Sequence, residues 1–131
     1  MEVVYSGGKK VDANFKGFTI KTDQPVDNGG EGTAPTPFDY FLVSLGACAG
    51  GYVFAFLKKR NISLHDAKLI VSFERDETTH MVKKVKINIK LPKNFPKEYT
   101  EAIMKSAGLC FVKKHLENPP EFEINASCLQ L

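Results

Sequence analysis

The chain has 131 residues, a quarter of them charged and an ordinary share apolar, which fits one domain, residues 1–131, with a real core. Its formal net charge of +3 comes from sixteen Lys and two Arg, and no lysine run exceeds two, which argues against a nucleic-acid partner. The N-terminal MEVVYSGGKK lacks the apolar stretch of a signal peptide, and three widely spaced cysteines suit a reducing cytosol better than a disulfide scaffold.

Met1–Ser6 reads as a short strand, followed by a Gly7-Gly8 turn. Asn14–Thr22 reads as a second strand, with Phe15, Phe18 and Ile20 apolar and Gly17 as a bulge. Asp23–Pro35 is rich in Gly, Pro, Asp and Asn and must be loop. No Gly-Lys-Ser/Thr follows its glycines, so it is not a phosphate loop.

A long helix follows. Thr36 stands at the N-cap, Pro37 at the first helical position and Asp39 three residues after the cap, the T-x-x-D form of a capping box. From Tyr40 to Leu57 there is no charge, and the run closes on Lys58, Lys59 and Arg60, cations at the negative end of the helix dipole. Cys48 lies in the middle. Phe41, Ser44, Leu45, Gly51, Tyr52 and Ala55 share its face, and the opposite face is apolar too. Such a helix is buried on all sides or spans a membrane. Three glycines, a serine and a cysteine inside it, and amphipathic strands that need a partner helix, favour the soluble core helix. Each interior Gly costs roughly 1 kcal/mol against Ala, so close approach of another backbone is expected there.

Ala67–Arg75 and Met81–Leu91 alternate apolar and polar residues around an Asp76–His80 turn, a hairpin with one wet face. Pro92 and Pro96 precede a second helix, Lys97–Leu116, which carries Cys110. Asn118-Pro119-Pro120 ends it, and Glu121–Leu129 reads as a closing strand with Cys128 on its inward face. Strands, helix, hairpin, helix and strand make an α+β fold.

Cys48 and Cys110 are the candidates for chemistry. A buried cysteine ordinarily acts as a small hydrophobe. The glycines around Cys48 and the Gly-rich loop before it raise its standing; Cys128 has no such setting. His65, His80 and His115 combine with the cysteines at no recognised metal-ligand spacing. The capping box accounts for Asp39, which in an unbroken helix points away from Cys48.

The stretch GGEGTAPTPFDYFLVSLGACAGGYVFAFLKKR, Gly29 to Arg60, resembles the first-cysteine helix of the OsmC/Ohr family, the osmotically inducible and organic hydroperoxide resistance proteins. AIMKSAGLCFVKKHLENPPEFEINAS resembles the second-cysteine helix and closing strand of that family. The resemblance implies an intertwined homodimer with two central helices wrapped by antiparallel sheets. It implies thiol-dependent reduction of organic hydroperoxides, with Cys48 peroxidatic, Cys110 resolving and Asp39 at the acidic position before the first cysteine. It implies a dithiol reductant such as a lipoyl-protein, and no metal or organic cofactor. The family's peroxidases set an Arg from the N-terminal region beside the nucleophile and tend to have Pro after the second cysteine. This chain has no Arg before Arg60, and Phe111 follows Cys110. Lys9, Lys10, Lys16 and Lys21 remain open as the activating cation. The competing reading is a non-catalytic dimeric module that binds a small apolar ligand or a protein between its helices.

Overall fold

The computed structural model describes residues 1–129 as an α+β chain. In order, it has strands β1 (Glu2–Gly7), β2 (Lys10–Phe15) and β3 (Phe18–Thr22), helix α1 (Pro37–Lys59), strands β4 (Lys68–Arg75) and β5 (Val82–Lys90), and helices α2 (Thr100–Ala107) and α3 (Phe111–Glu117). Two compact units divide the chain, Met1–Gly46 and Ala47–Leu131, and the division falls inside α1.

In the first unit, β1, β2 and β3 form an antiparallel meander. The single strand expected over Asn14–Thr22 is instead the turn and flanks of a hairpin. Phe15 pairs with Phe18, and between them Lys16 and Gly17 have φ of 51° and 81°. Two left-handed residues are what a type I′ turn demands, so Gly17 is a turn residue and not a bulge. The register puts Val3, Tyr5, Val11, Ala13, Phe15, Phe18 and Ile20 on one face. That apolar face is open: Tyr5 is 88% and Phe18 69% exposed.

The following loop is pinned by Asp23, a buried carboxylate. It accepts the Thr33 hydroxyl at 2.7 Å and the amides of Gln24 and Thr33 at 2.8 and 3.1 Å. The Thr33 hydroxyl and amide lead in holding its pKa down to about 2. Gly30 is required here, because a Cβ at that position would collide with the backbone of Gln24.

The expected capping box is present at the start of α1. The Thr36 amide donates to the Asp39 carboxylate at 2.9 Å, and the Asp39 amide to the Thr36 hydroxyl at 3.1 Å. The helix ends in a Schellman motif: Asn61 is left-handed at φ 53°, and the amides of Ile62 and Asn61 reach back to the carbonyls of Leu57 and Lys58. All-round burial of α1 does not occur in this chain. Leu45, Ala49, Val53, Phe56 and Leu57 are buried, but Phe38, Phe41, Val43 and Phe54 are exposed. The expected backbone neighbour of its glycines is also missing: a Cβ on Gly50 or Gly51 would meet open space. Among the described residues, α1 is the one helix long and apolar enough to cross a membrane.

In the second unit, β4 and β5 pair as Leu69↔Ile89, Val71↔Ile87 and Phe73↔Val85. The core is Val53, Phe56 and Leu57 of α1 with Ile103 and Ala107 of α2, and Leu69, Ile89, Leu91, Phe95 and Tyr99 pack around it. The opposite face of the hairpin is wet, as its lysines predict, and there Lys86 pairs with Glu74.

Two expectations near the C-terminus are corrected. The helix expected over Lys97–Leu116 is a 3-10 turn, Lys97–Tyr99, then α2 and α3 with a break between them. Gly108 follows the last turn of α2, and Cys110, at φ −43° and ψ 121°, stands outside helical geometry. The strand expected over Glu121–Leu129 is absent; residues 121–129 carry no regular structure, with Phe122 84% and Ile124 89% exposed. A strand needs an edge to pair with, and among the described residues this segment pairs with none.

Candidate active site

Cys48 and Cys110 come together within the second unit. Cys48 lies half-buried on α1; Cys110 is 2% exposed and is the N-cap residue of α3. The helix break makes this possible. Cys110 has a carbonyl that already accepts the Lys114 amide at 3.0 Å, so α3 begins with the next residue. The first amides of any helix lack intrahelical partners. At the start of α3 two of those orphan donors, Val112 and Phe111, are directed at the Cys48 sulfur.

The electrostatics of the two thiols are opposite. The Val112 amide, with further help from the Cys110 S–H and the Phe111 amide, lowers the Cys48 thiol pKa against the opposing effect of burial. Burial, above all, pushes the Cys110 thiol up, and the adjoining Cys48 sulfur adds to this, against the Lys113 and Val112 amides, which lower it. The pair is thus polarised: Cys48 is the better thiolate and Cys110 remains the thiol that donates to it.

The groups that lower the Cys48 pKa are neutral donors, and none of Lys9, Lys10, Lys16 and Lys21 is among them. Sequence reasoning missed Phe111 and Val112 because backbone amides leave no residue-type signature. The available signal was Gly108, which sits where an uninterrupted helix would avoid it.

The remaining candidates fall elsewhere. Asp39 lies in the first unit and uses its carboxylate in the capping box. Cys128 is exposed, contrary to the expected inward strand position, because the strand that would bury it does not form in this chain. The His115 Nδ1 sits 2.7 Å from the Phe111 carbonyl with its ring edge-on to the Phe111 ring, and His65 pairs with Asp66. Among the described residues no three His, Cys, Asp or Glu gather as metal ligands do.

This is an α+β protein built around two adjoining, oppositely polarised thiols. Residues 30–125 match the family model for OsmC-like protein, and the chain belongs to that family. Solved structures agree in fold. A protein from Psychrobacter arcticus, named for osmotic stress induction and a detoxification response, is 25% identical, with a TM-score of 0.72 over 86% of this chain and 84% of that one. A protein of Aquifex aeolicus is 20% identical, with a TM-score of 0.63 over 90% and 86%. A Legionella pneumophila protein named as organic hydroperoxide resistance protein OsmC is 20% identical, with a TM-score of 0.53 over 88% and 85%. No functionally curated protein matches.

Proposed function

We propose that this protein is a thiol-dependent peroxidase that reduces organic hydroperoxides through Cys48 and Cys110. The observation that carries the reading is the Cys48 sulfur facing the Val112 and Phe111 amides with the Cys110 thiol against it. The Cys48 thiolate attacks the terminal oxygen of the hydroperoxide. The S–O bond forms, the O–O bond breaks, and the alkoxide leaves as the alcohol after taking a proton from water. Cys48 becomes a sulfenic acid. The Cys110 sulfur then attacks the Cys48 sulfur, losing its proton, and hydroxide leaves as water, giving a Cys48–Cys110 disulfide. A dithiol, such as a lipoyl-protein, restores both thiols by exchange. Donors fixed in place by α3 need no reorganisation when the thiolate forms.

The working protein is a homodimer in the cytoplasm, acting without nucleic acid, membrane or cofactor. Three unsatisfied features support the dimer: the open apolar face of the β1–β3 sheet, the exposed Phe41, Val43 and Phe54 of α1, and the unpaired, alternately apolar segment at Phe122 and Ile124. The family match spans the boundary between the two units, which supports reading residues 1–131 as one domain. Asp39 serves the fold of the site's helix and has no part in the chemistry.

Peptide mass mapping tests the enzyme. After brief exposure to one equivalent of an organic hydroperoxide, two thiols should be lost and a Cys48–Cys110 disulfide found. Cys110→Ser should stop at the Cys48 sulfenic acid and proceed to over-oxidation, while Cys48→Ser should leave Cys110 reduced. Because Cys128 is exposed, the mapping is cleanest in a Cys128→Ser background. An untouched Cys48 in folded protein rejects the peroxidase and leaves the dimeric binding module.

A further inference from the structure

The charge surplus of this chain is concentrated on one surface. In the β4–β5 hairpin the register sets Lys68 opposite Lys90, Ile70 opposite Asn88, Ser72 opposite Lys86 and Glu74 opposite Lys84. Side chains two apart share a face, so these residues form a grid of two columns, roughly 20 Å long at about 3.4 Å per residue. This face is turned away from Leu69 and Ile89, which pack on the core. All of its residues are exposed except Glu74, which is half-buried. Four lysines against one glutamate leave a surplus of three positive charges, as large as the formal net charge of the whole chain, +3. The charges on the rest of the chain therefore balance. No run of lysines marks the patch in the sequence, because alternate positions on two strands assemble it.

Cations on edge strands guard against pairing with other chains, but that does not require Lys68 and Lys90 to stand directly across from each other, which costs stability. Lys86 pairs with Glu74, and among the described residues the face has no second acid for Lys68, Lys84 and Lys90. An acidic surface from outside relieves this repulsion. The pattern also selects the kind of surface. Ile70, 48% exposed, stands beside Asn88 and Ser72 with lysines at both ends of the grid. An apolar and hydrogen-bonding centre inside a charged rim is the anatomy of a protein contact. The face offers no aromatic ring for a base to stack on, and Glu74 would confront a phosphate. One apolar side chain is little to anchor in a lipid bilayer. A second copy docked symmetrically would set lysine against lysine.

We infer that the outer face of the β4–β5 hairpin docks an acidic protein partner, whose clustered carboxylates meet Lys68, Lys84, Lys86 and Lys90. Only two strands wide, the face falls short of the roughly 800 Å² per partner of a standard interface, so the contact is transient, fast to form and sensitive to salt. Docking here requires neither Cys48 nor Cys110.

The test uses the reduced wild-type protein and two labelled peptides, one of repeated Glu-Glu-Leu triplets and its analogue with Gln in place of every Glu. By fluorescence anisotropy at low salt, the Glu peptide should bind about tenfold more tightly than the Gln peptide, and the gap should narrow as salt is raised. Lys68→Gln with Lys90→Gln, both at exposed positions, should lose about fivefold in affinity for the Glu peptide while the circular dichroism spectrum is unchanged. Lys97→Gln with Lys105→Gln removes the same charge from exposed positions off this face and should lose less than about twofold. Equal affinities for the two peptides, or equal losses in the two double variants, overturn the assignment. So does a DNA duplex, or a vesicle of phosphatidylserine and phosphatidylcholine, that binds this face more tightly than the Glu peptide.

Discussion

At the scale of single residues, the decisive contrast is between two cysteines of identical chemistry and opposite surroundings. At Cys48 three donors outweigh burial, whereas at Cys110 burial and the Cys48 sulfur outweigh the Lys113 and Val112 amides. A lowered thiol pKa means thiolate is present at a lower pH than for an ordinary cysteine, so the Cys48 alkylation rate should rise with pH through a midpoint below the usual thiol value. In Cys110→Ala the S–H donor is gone but both amides remain, so the midpoint should move up toward the ordinary value without reaching it. An alkylation profile identical to the parent would show that the Cys110 thiol contributes nothing to the site. The groups that lower this thiol are helix-terminal amides and a neighbouring thiol, none of which carries a net positive charge.

At the scale of elements, each terminus of a helix has a separate role. The start of α1 is structural: Asp39→Ala should destabilise the protein by about 1 kcal/mol through loss of the carboxylate contact to the Thr36 amide, with the Cys48 alkylation rate unchanged. A fall in that rate at unchanged melting temperature would assign Asp39 to the site. The start of α3 instead bears on Cys48. Phe111 occupies its first helical position, where proline is well tolerated, and Cys110 before it has the extended ψ of 121° that a following proline requires. Phe111→Pro should therefore fold, yet remove one donor to Cys48. Its alkylation midpoint should shift up slightly, by less than for removal of a stronger donor. No shift at all in the folded variant would exclude the Phe111 amide from thiolate stabilisation.

At the scale of the whole molecule, the exposed apolar surface is the dominant fact. Tyr5, Phe18, Val43, Phe122 and Ile124 belong to different elements, and each is more than half exposed. Scattered single hydrophobes need no explanation, but here they include a whole sheet face, a helix flank and an alternating unpaired segment. A second copy of the chain would cover them, and its stability would then depend on protein concentration. Light scattering should give twice the mass of 14.6 kDa at micromolar concentration, and the melting temperature should rise with concentration. A folded monomer under those conditions rejects the dimer.

Local rules were enough for the parts of this protein whose partners lie close in sequence. The capping box of Thr36 and Asp39, the hairpin from Lys68 to Lys90 and the cationic end of α1 were all legible from residue type and spacing, because each interaction spans a few positions or repeats with a fixed period. The Lys16-Gly17 turn was equally local but was hidden, because lysine carries no turn signal and its left-handed φ had to be imposed by the pairing of Phe15 with Phe18. What only the tertiary structure decided was the site itself. The break at Gly108–Cys110 turns a continuous helical pattern into two helices, and the thiol that receives the new terminus lies some sixty residues earlier in the chain. Backbone amides have no letter in a sequence, so the environment that distinguishes Cys48 from Cys110 arises only when α1 and the start of α3 are brought together.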